Sequence, residues 1–191
     1  MNVLIVSATQ EEITLTEFDH LVTGVGMVST TLELTKTLST KKYDLVINGG
    51  IAGSFNRTLK IGDVVEVAED TFSEIGAQDD QRFLTPNQMS LDVDVVFNNK
   101  PQTYLKPVRA ITVNTVHGEQ FSIEKIMHRL NPHIETMEGA AFFKTCQHFG
   151  VNCIQIRAIS NYVEKRNKSN WNIPIAIKNL NIELNQILKK I

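Results

Sequence analysis

Three short, mainly apolar segments stand out along the chain, at residues 3–6, 43–48 and 151–157. A strand that is buried on both faces of a sheet has this continuous pattern, whereas a strand with one exposed face alternates apolar and polar residues. The three segments therefore predict three strands in the interior of a sheet.

Apolar residues at helical spacing predict three helices between and after these strands. The first covers residues 27–38, and its apolar positions are Val28, Leu32 and Leu38. The second covers residues 139–149 and is followed by Gly150, a residue type that commonly ends a helix. The last begins near Pro174, which suits a first turn. Its apolar face consists of Ile177, Leu180, Leu184, Ile187, Leu188 and Ile191.

The middle of the chain has a different pattern. Residues 63–68, 91–97 and 108–113 are rich in strand-forming residues and alternate in part, with few helical segments between them. This pattern predicts an α/β fold around a large central sheet that is mixed rather than purely parallel. Neither an internal repeat nor a linker divides the sequence, so we expect one domain over residues 1–191.

Composition excludes several classes of protein. The 191 residues carry a formal charge of −2, whereas a general nucleic-acid-binding protein has a basic surplus. Hydrophobic residues make up 42% of the chain and charged residues 21%, close to globular averages. No apolar stretch approaches the ~18 residues of a membrane span, and the N-terminus lacks the basic region of a signal peptide. The two cysteines, Cys146 and Cys153, cannot build a disulfide framework, so we expect a cytoplasmic protein.

Motifs for common cofactors and metals are incomplete. Gly24 and Gly26 begin like a dinucleotide-binding fingerprint, but Ser29 stands where the third glycine is required. His128 and His133 lie five residues apart across a predicted helix end and do not form a zinc-binding motif. We therefore expect neither a metal nor an organic cofactor.

Four polar or glycine-rich clusters follow predicted strands or begin a helix, at residues 7–12, 47–53, 137–141 and 157–161. Ligands in α/β folds bind at the carboxyl ends of strands, and glycines let the backbone approach a ligand closely. Each cluster also has a purely structural interpretation, as an acidic turn, a tight connection or a helix cap. Their convergence at strand ends favours a ligand site.

The cluster at residues 137–141 has the chemistry to hold a sugar. Glu138 stands at the start of an otherwise apolar helix, where the N–H groups of the first turn favour an ionised carboxylate. Such a carboxylate accepts hydrogen bonds from two adjacent hydroxyls, one on each oxygen. A ribose diol presents this pair of hydroxyls.

At these residues the sequence resembles the purine nucleoside phosphorylase/nucleosidase superfamily. The matching segments are 8–12, 23–26, 48–53, 59–65, 137–138 and 157–161. Within it the chain is most similar to the futalosine hydrolases, through 113–116, 137–141, 159–164, Arg166 and 171–174. The resemblance implies a three-layer α/β/α sandwich around a mixed, partly barrel-like central sheet. It also implies hydrolysis of futalosine to hypoxanthine and dehypoxanthine futalosine, on the futalosine route to menaquinone, without a cofactor.

The resemblance also implies roles for individual residues. Glu12 would activate the attacking water, with its neighbour Glu11 as the competing candidate, and Asn161 would contact purine N7. Glu138 would hold the ribose 2′ and 3′ hydroxyls. The other substrate-binding residues would be Met137 against the sugar, Phe121 stacked on the base, and Ala8, Gly53 and Ser160.

The sequence departs from its relatives at four places. They are the short connection between Glu12 and Gly24, Ile51 in place of Ser, Thr136 in place of Glu, and Asn161 in place of the Asp of adenine-specific nucleosidases. Because an amide is a poor acid, Asn161 favours a 6-oxopurine over adenine. A phosphorylase needs arginines and hydroxyls at its anion site. Ile51 stands in the glycine cluster, and no arginine occurs there before Arg57, so we expect hydrolysis.

A distal carboxylate on the substrate would need a cation, for which Arg82, Lys106 and His117 are candidates. Trp171 either shapes the site or docks the last helix. In the superfamily a neighbouring subunit usually completes the subsite beyond the ribose 5′ carbon, so we expect a dimer or larger homo-oligomer.

Three other functions remain compatible with the sequence. One is a methylthioadenosine/S-adenosylhomocysteine or aminofutalosine nucleosidase, and another is a phosphate-dependent nucleoside phosphorylase. The third is a non-catalytic nucleoside-binding or storage protein, which the short connection after Glu12 would suit. The presence of both candidate carboxylates, Glu12 and Glu138, favours an enzyme.

Overall fold

The computed structural model describes residues 1–190, and within them ten strands and four α-helices. The strands are β1 (Val3–Ser7), β2 (Asp19–Val22), β3 (Leu45–Ser54), β4 (Val64–Phe72), β5 (Ala77–Asp79), β6 (Arg82–Leu84), β7 (Val96–Asn98), β8 (Lys106–Thr112), β9 (Ile134–Thr136) and β10 (Asn152–Tyr162). The helices are α1 (Met27–Thr40), α2 (Gln120–Leu130), α3 (Gly139–Phe149) and α4 (Ile173–Leu188). Within the described residues, none of the helices has the length and apolar character needed to span a bilayer.

Five strands of the main sheet close on themselves. β3 pairs with β10 and β9, β9 pairs with β8, β8 pairs with β4, and β4 returns to β10. The β3–β10, β4–β8 and β8–β9 pairs are parallel, and the other two are antiparallel. β1 and β2 extend the sheet from the first half of β3, and β7 pairs with β4. The predicted mixed, partly barrel-like sheet is confirmed.

The two faces of this sheet are covered by different helices. α1 and α3 pack on one face, and α4 packs on the other. Successive residues of β1 enter the two cores in turn, Leu4 on one side and Ile5 on the other. This double burial explains why β1, β3 and β10 have the continuous apolar pattern from which strands were predicted.

The predicted helices exist, but their buried faces differ in part from the apolar positions. α1 buries Thr30, Leu34 and Leu38 and leaves Val28 80% and Leu32 63% exposed. α4 buries Leu180, Leu184 and Ile187 as expected, whereas Ile177 and Leu188 are half-buried and Ile191 lies outside the described residues.

The expected strand at residues 91–97 is largely wrong, because regular structure begins only with β7 at Val96. Residues 91–95 alternate like a strand but leave Leu91 and Val93 exposed. The pattern also gave no indication of α2, whose largely polar sequence buries only Ile126.

The glycine-rich segment 47–53 is not a loop, as its composition suggested, but the middle of β3. Its glycines are required by close packing. A Cβ on Gly49 would lie 3.0 Å from Cδ1 of both Ile13 and Leu184, and a Cβ on Gly50 would lie 2.8 Å from Nη1 of Arg157. The strand therefore runs uninterrupted through a closely packed region of the molecule.

A buried polar layer fastens the first turn of α3 to the barrel. Asp70 Oδ1 accepts a hydrogen bond from Thr112 Oγ1 at 2.8 Å, and Oδ2 accepts one from Gln155 Nε2 at 3.0 Å. Thr112 Oγ1 in turn accepts the N–H of Ala140 at 2.7 Å. A Cβ on Gly139 would lie 2.1 Å from Asp70 Oδ2, so only glycine fits against this layer.

The carboxyl group of Asp70 in this layer has a raised pKa. Burial raises the pKa of Asp70 from its ordinary 3.8 to about 6, against the opposing effects of Gln155, Thr112 and Arg157. A carboxyl with a raised pKa contributes most to stability below its ordinary pKa, and this contribution is lost as pH rises through the folded-state value. Among residues 1–190, Gln155 Oε1 is a buried acceptor without a hydrogen-bond donor. A carboxylate at position 70 has no proton to donate to such an acceptor, whereas a protonated carboxyl or an amide has one. A neutral group at position 70 is therefore better suited to the layer.

We expect the Asp70→Asn variant to gain stability relative to the wild type as pH rises. Between about pH 4.5 and about pH 7.5 the difference in unfolding free energy should move in favour of the variant by about 2 kcal/mol, because only the wild type must ionise a buried carboxyl. Urea unfolding of both proteins at several pH values measures this difference. A difference that does not change with pH would contradict the raised pKa.

Candidate active site

A cavity of about 490 Å³ opens at the carboxyl ends of β1, β3 and β10, beside the first turn of α3. The structure brings most of the predicted site residues to this cavity. They are Ala8, Glu11, Glu12, Gly53, Met137, Glu138, Ser160 and Asn161. The four clusters that the sequence places at strand ends and at a helix start therefore do meet.

Glu12 lies at the inner wall of the cavity and is 7% exposed. Its Oε2 accepts the N–H groups of Ala8 and Thr9, both at 3.0 Å, and its Oε1 accepts the N–H of Ile51 at 3.2 Å. Three backbone donors from two segments thus hold the carboxylate in one orientation. Glu11 also lines the cavity, but its side chain is exposed to solvent.

Glu138 is held differently from the expectation based on its helix. Its carboxylate makes no hydrogen bond to the N-terminal N–H groups of α3. Oε1 instead accepts the N–H of Gly26 at 2.9 Å, and Oε2 accepts that of Met137 at 3.3 Å. Burial raises the pKa of Glu138, against the opposing effect of Arg157. The N–H of Gly139 is taken by Thr136 Oγ1 at 3.2 Å, which gives Thr136 a capping role.

Arg157 is the cation behind both carboxylates, and it is only 2% exposed. Its guanidinium donates to Asn48 Oδ1 and, at 3.4 Å, to the carbonyl oxygen of Ile156. Burial lowers the pKa of Arg157, and the negative charges of Glu138, Glu12 and Asp70 oppose this effect. The sequence placed Arg157 at a strand end but gave no indication of this burial, because arginine is usually exposed.

Asn161 and Ser160 form the opposite end of the cavity. Ser160 Oγ donates to Asn161 Oδ1 at 2.7 Å and lies 3.2 Å from the carbonyl oxygen of Ala52. Asn161 Nδ2 donates to the carbonyl oxygen of Tyr162 at 3.0 Å. The amide orientation is fixed by these contacts, and one N–H and one lone pair remain for a ligand.

A buried pair that the sequence did not indicate lies next to Asn161. Glu135 of β9 is 4% exposed. Its Oε2 lies 2.7 Å from His117 Nδ1, and its Oε1 accepts the backbone N–H of His117 at 3.0 Å. Burial raises the pKa of Glu135, and the contacts with His117 oppose this effect. Both residues line a smaller cavity of about 100 Å³ together with Gly53 and Asn161.

Phe121 does not reach the cavity. It lies in the first turn of α2, 55% exposed, with the Lys125 ammonium 4.3 Å from its ring centroid. Contrary to the prediction, Phe121 therefore does not lie where it could stack on a base in the cavity. The prediction rested on the resemblance alone.

The three predicted cations for a distal carboxylate do not line the main cavity, whereas another arginine does. Lys106 is exposed at the start of β8, and Arg82 lines a separate cavity on β6. His117 is engaged by Glu135 through Nδ1. Arg166 lines the main cavity instead, with its guanidinium carbon 4.9 Å from the ring centroid of Trp171. Trp171 lines the cavity as well, so it shapes the site.

The closed mixed barrel, its covering helices and a cavity at the strand ends define the fold of nucleoside phosphorylases and nucleosidases. The family model of the Phosphorylase superfamily matches residues 20–189, and the chain belongs to that superfamily. Two curated relatives differ in their named activities. A futalosine hydrolase from Acidothermus cellulolyticus is 30% identical over 175 residues, covering 85% of this chain and 71% of that protein. A 5′-methylthioadenosine/S-adenosylhomocysteine nucleosidase from Buchnera aphidicola is 27% identical over 207 residues, covering 100% and 85%.

Solved structures support the fold. The native structure of futalosine hydrolase of Helicobacter pylori has a TM-score of 0.84 and 17% identity, and the match covers 99% of this chain and 97% of that chain. At this identity the likeness shows the shared fold alone.

Proposed function

We propose that this protein hydrolyses the N-glycosidic bond of futalosine and releases hypoxanthine, on the futalosine route to menaquinone. The protein is a nucleosidase, in line with the activities for which its relatives are named. The observation that carries the choice of substrate is an amide, Asn161, at one end of a cavity whose other end holds the carboxylates Glu12 and Glu138. Relatives named as futalosine hydrolases support this choice.

Glu12 serves as the base that activates water. The backbone N–H groups of Ala8, Thr9 and Ile51 fix its carboxylate, and each carboxylate oxygen keeps lone-pair capacity for a water molecule. A base held in this way is aimed at C1′ before substrate arrives. General base catalysis of this kind contributes ~10²–10⁴-fold to the rate.

Glu138 binds the ribose diol and stabilises the positive charge that develops on the sugar ring. Its carboxylate faces the cavity between Met137 and Val25, and it accepts only two backbone hydrogen bonds. Charge that is already in position when an oxocarbenium-like transition state forms lowers the barrier without reorganisation. Arg157, behind the carboxylates, offsets the cost of burying them together.

Asn161 selects the base. The free N–H of its fixed amide donates to the O6 acceptor of a 6-oxopurine. Adenine presents an amino group at the same position. Two donors would then face each other, and no hydrogen bond could form between them. A buried polar site of this type rejects a mismatched partner by several orders of magnitude.

Arg166 binds the distal carboxylate of futalosine. It lines the mouth of the same cavity beside Trp171. A guanidinium makes two parallel hydrogen bonds to a carboxylate, stronger than those between neutral groups. It replaces Arg82, Lys106 and His117 in this proposed role.

A second candidate is a methylthioadenosine/S-adenosylhomocysteine nucleosidase. The relative from Buchnera aphidicola, which this chain matches over 100% of its length, favours it. The two candidates differ in the released base, adenine or hypoxanthine, so a single product assay separates them.

We expect wild-type protein to release hypoxanthine from futalosine and to act much more slowly on aminofutalosine and methylthioadenosine. Asn161→Asp should shift the preference toward 6-amino substrates and lower futalosine turnover, because a carboxylic acid can donate to N7 and accept from an amino group. Chromatography of the released base measures both effects. The exposed Asn98→Asp variant on β7 controls for an added charge.

The same assay separates hydrolysis from phosphorolysis. Added phosphate should leave the rate unchanged and yield no sugar 1-phosphate. Equal wild-type rates on futalosine and aminofutalosine would contradict the role of Asn161, and phosphate-dependent turnover would contradict hydrolysis.

We expect Glu12→Gln to lower kcat by about 100-fold or more with little change in KM, as for loss of a general base. Glu11→Gln is the matched control and should retain near wild-type activity, because its side chain is exposed. Glu138→Gln should lower kcat and raise KM together. If Glu11→Gln is inactive and Glu12→Gln is not, the base has been assigned to the wrong neighbour.

We propose that the protein self-associates through the outer face of α1. Val28 and Leu32 of α1 are more than half exposed, as is Val25 just before the helix, which also lines the cavity. Sedimentation at micromolar concentration should show a dimer or larger species, and Leu32→Lys should reduce its size. Glu124→Lys on the exposed surface of α2 is the control. A fully active wild-type monomer would show that the cavity is complete without a partner.

A further inference from the structure

The buried pair of Glu135 and His117 has no part in the reaction as described so far. Glu135 is 4% exposed, whereas the side chain of His117 is 16% exposed and faces the small cavity beside Asn161. A Cβ on Gly53 would lie 3.3 Å from Asn161 Nδ2 and 3.6 Å from Glu135 Cγ. The pair therefore lies beside Asn161, separated from it by Gly53. This is the end of the cavity at which the purine is proposed to bind, called here the base end.

The proposed reaction leaves one chemical requirement unmet at this end. When the bond between C1′ and N9 breaks, its electron pair goes to the purine, which leaves readily only if another ring nitrogen gains a proton. Asn161 cannot supply that proton, because an amide N–H is not acidic. A titratable donor next to Asn161 is needed.

Resting on the proposed function, we propose that His117, oriented by Glu135, is the general acid that protonates purine N7 as the base leaves. Nδ1 of His117 lies 2.7 Å from Glu135 Oε2, so the carboxylate holds the orientation of the ring. Nε2 is then the proton donor toward the base. Asn161 holds O6 while His117 serves N7.

The protons balance over one turnover. Water forms the new bond to C1′ and gives one proton to Glu12, and the purine takes one proton from His117 with the electrons of the broken bond. Glu12 then releases its proton to solvent, and His117 regains one from it. The partial exposure of His117 provides that route, and no other reactant is required.

Several charged groups surround the pair. Glu74 raises the pKa of Glu135, and Glu164 and Arg166 line the small cavity with the pair. His117 also lines a second cavity, together with Glu74, Arg82, Lys125 and Arg129.

The test compares a leaving group that needs a proton with one that does not. Futalosine releases a purine, whereas p-nitrophenyl β-D-ribofuranoside releases a nitrophenolate that is stable as an anion. His117→Gln should lower kcat/KM for futalosine by about 100-fold or more, as for loss of a general acid, and change that for the nitrophenyl riboside by only a few-fold. Glu135→Gln should show the same selectivity with a smaller loss.

The exposed His128→Asn variant on α2 is the control and should match the wild type on both substrates. Equal losses on both substrates for His117→Gln would overturn the proposal and assign the pair a structural role, with the proposed function intact. Failure of the wild type to cleave futalosine would count against the proposed function instead.

A second readout decides the matter if the wild type does not accept the nitrophenyl riboside. In His117→Ala, added imidazole should restore futalosine turnover at least ten-fold, in proportion to the concentration of the imidazolium ion. Absence of rescue in a variant that melts at the wild-type temperature would overturn the proposal.

Discussion

The burial of one positive charge among several negative ones governs this structure. Arg157 lies almost wholly out of water, and the negative charges of Glu138, Glu12 and Asp70 act on its guanidinium. Each of these groups alone would be costly to bury, and removal of one partner from such a set leaves an uncompensated charge. The carboxylates of Glu12 and Glu138 and the layer that anchors α3 therefore share one compensating cation. A change at Arg157 is therefore expected to affect both the geometry of the cavity and the stability of the fold.

The glycines of β3 leave the space that Arg157 and the helix behind the strand occupy. β3 passes between α4 on one side and Arg157 on the other, and its glycines leave room for both. The same strand supplies the Ile51 N–H that holds Glu12. The barrel closes because β3 pairs first with β1 and then with β9 along its length. A single extended strand thus contributes to the sheet, to the orientation of the Glu12 carboxylate and to the packing around Arg157.

Local pattern was sufficient for β1 and β10, which are buried on both faces, and for α4, whose buried face has helical spacing. It was insufficient for the second half of β3, since glycines at close contacts have the same composition as glycines in turns. The pairing of Glu135 with His117 joins residues that meet only once β9 enters the barrel. Phe121 shows the reverse case, in which an aromatic residue that suits the predicted role was assigned a place that the fold does not give it.

The glycines of β3 also limit how this scaffold can change its substrate. A Cβ at Gly49, Gly50 or Gly53 would lie 2.8 to 3.1 Å from the nearest side-chain atom, so a larger residue on this strand requires its neighbours to move. Side chains reach the base end from β9, from β10 and from the loop after β8, through Glu135, Asn161 and His117. On this scaffold the chemistry beside Asn161 is therefore set by a few polar positions on two strands and one loop, where single substitutions leave the glycine packing of the barrel unchanged.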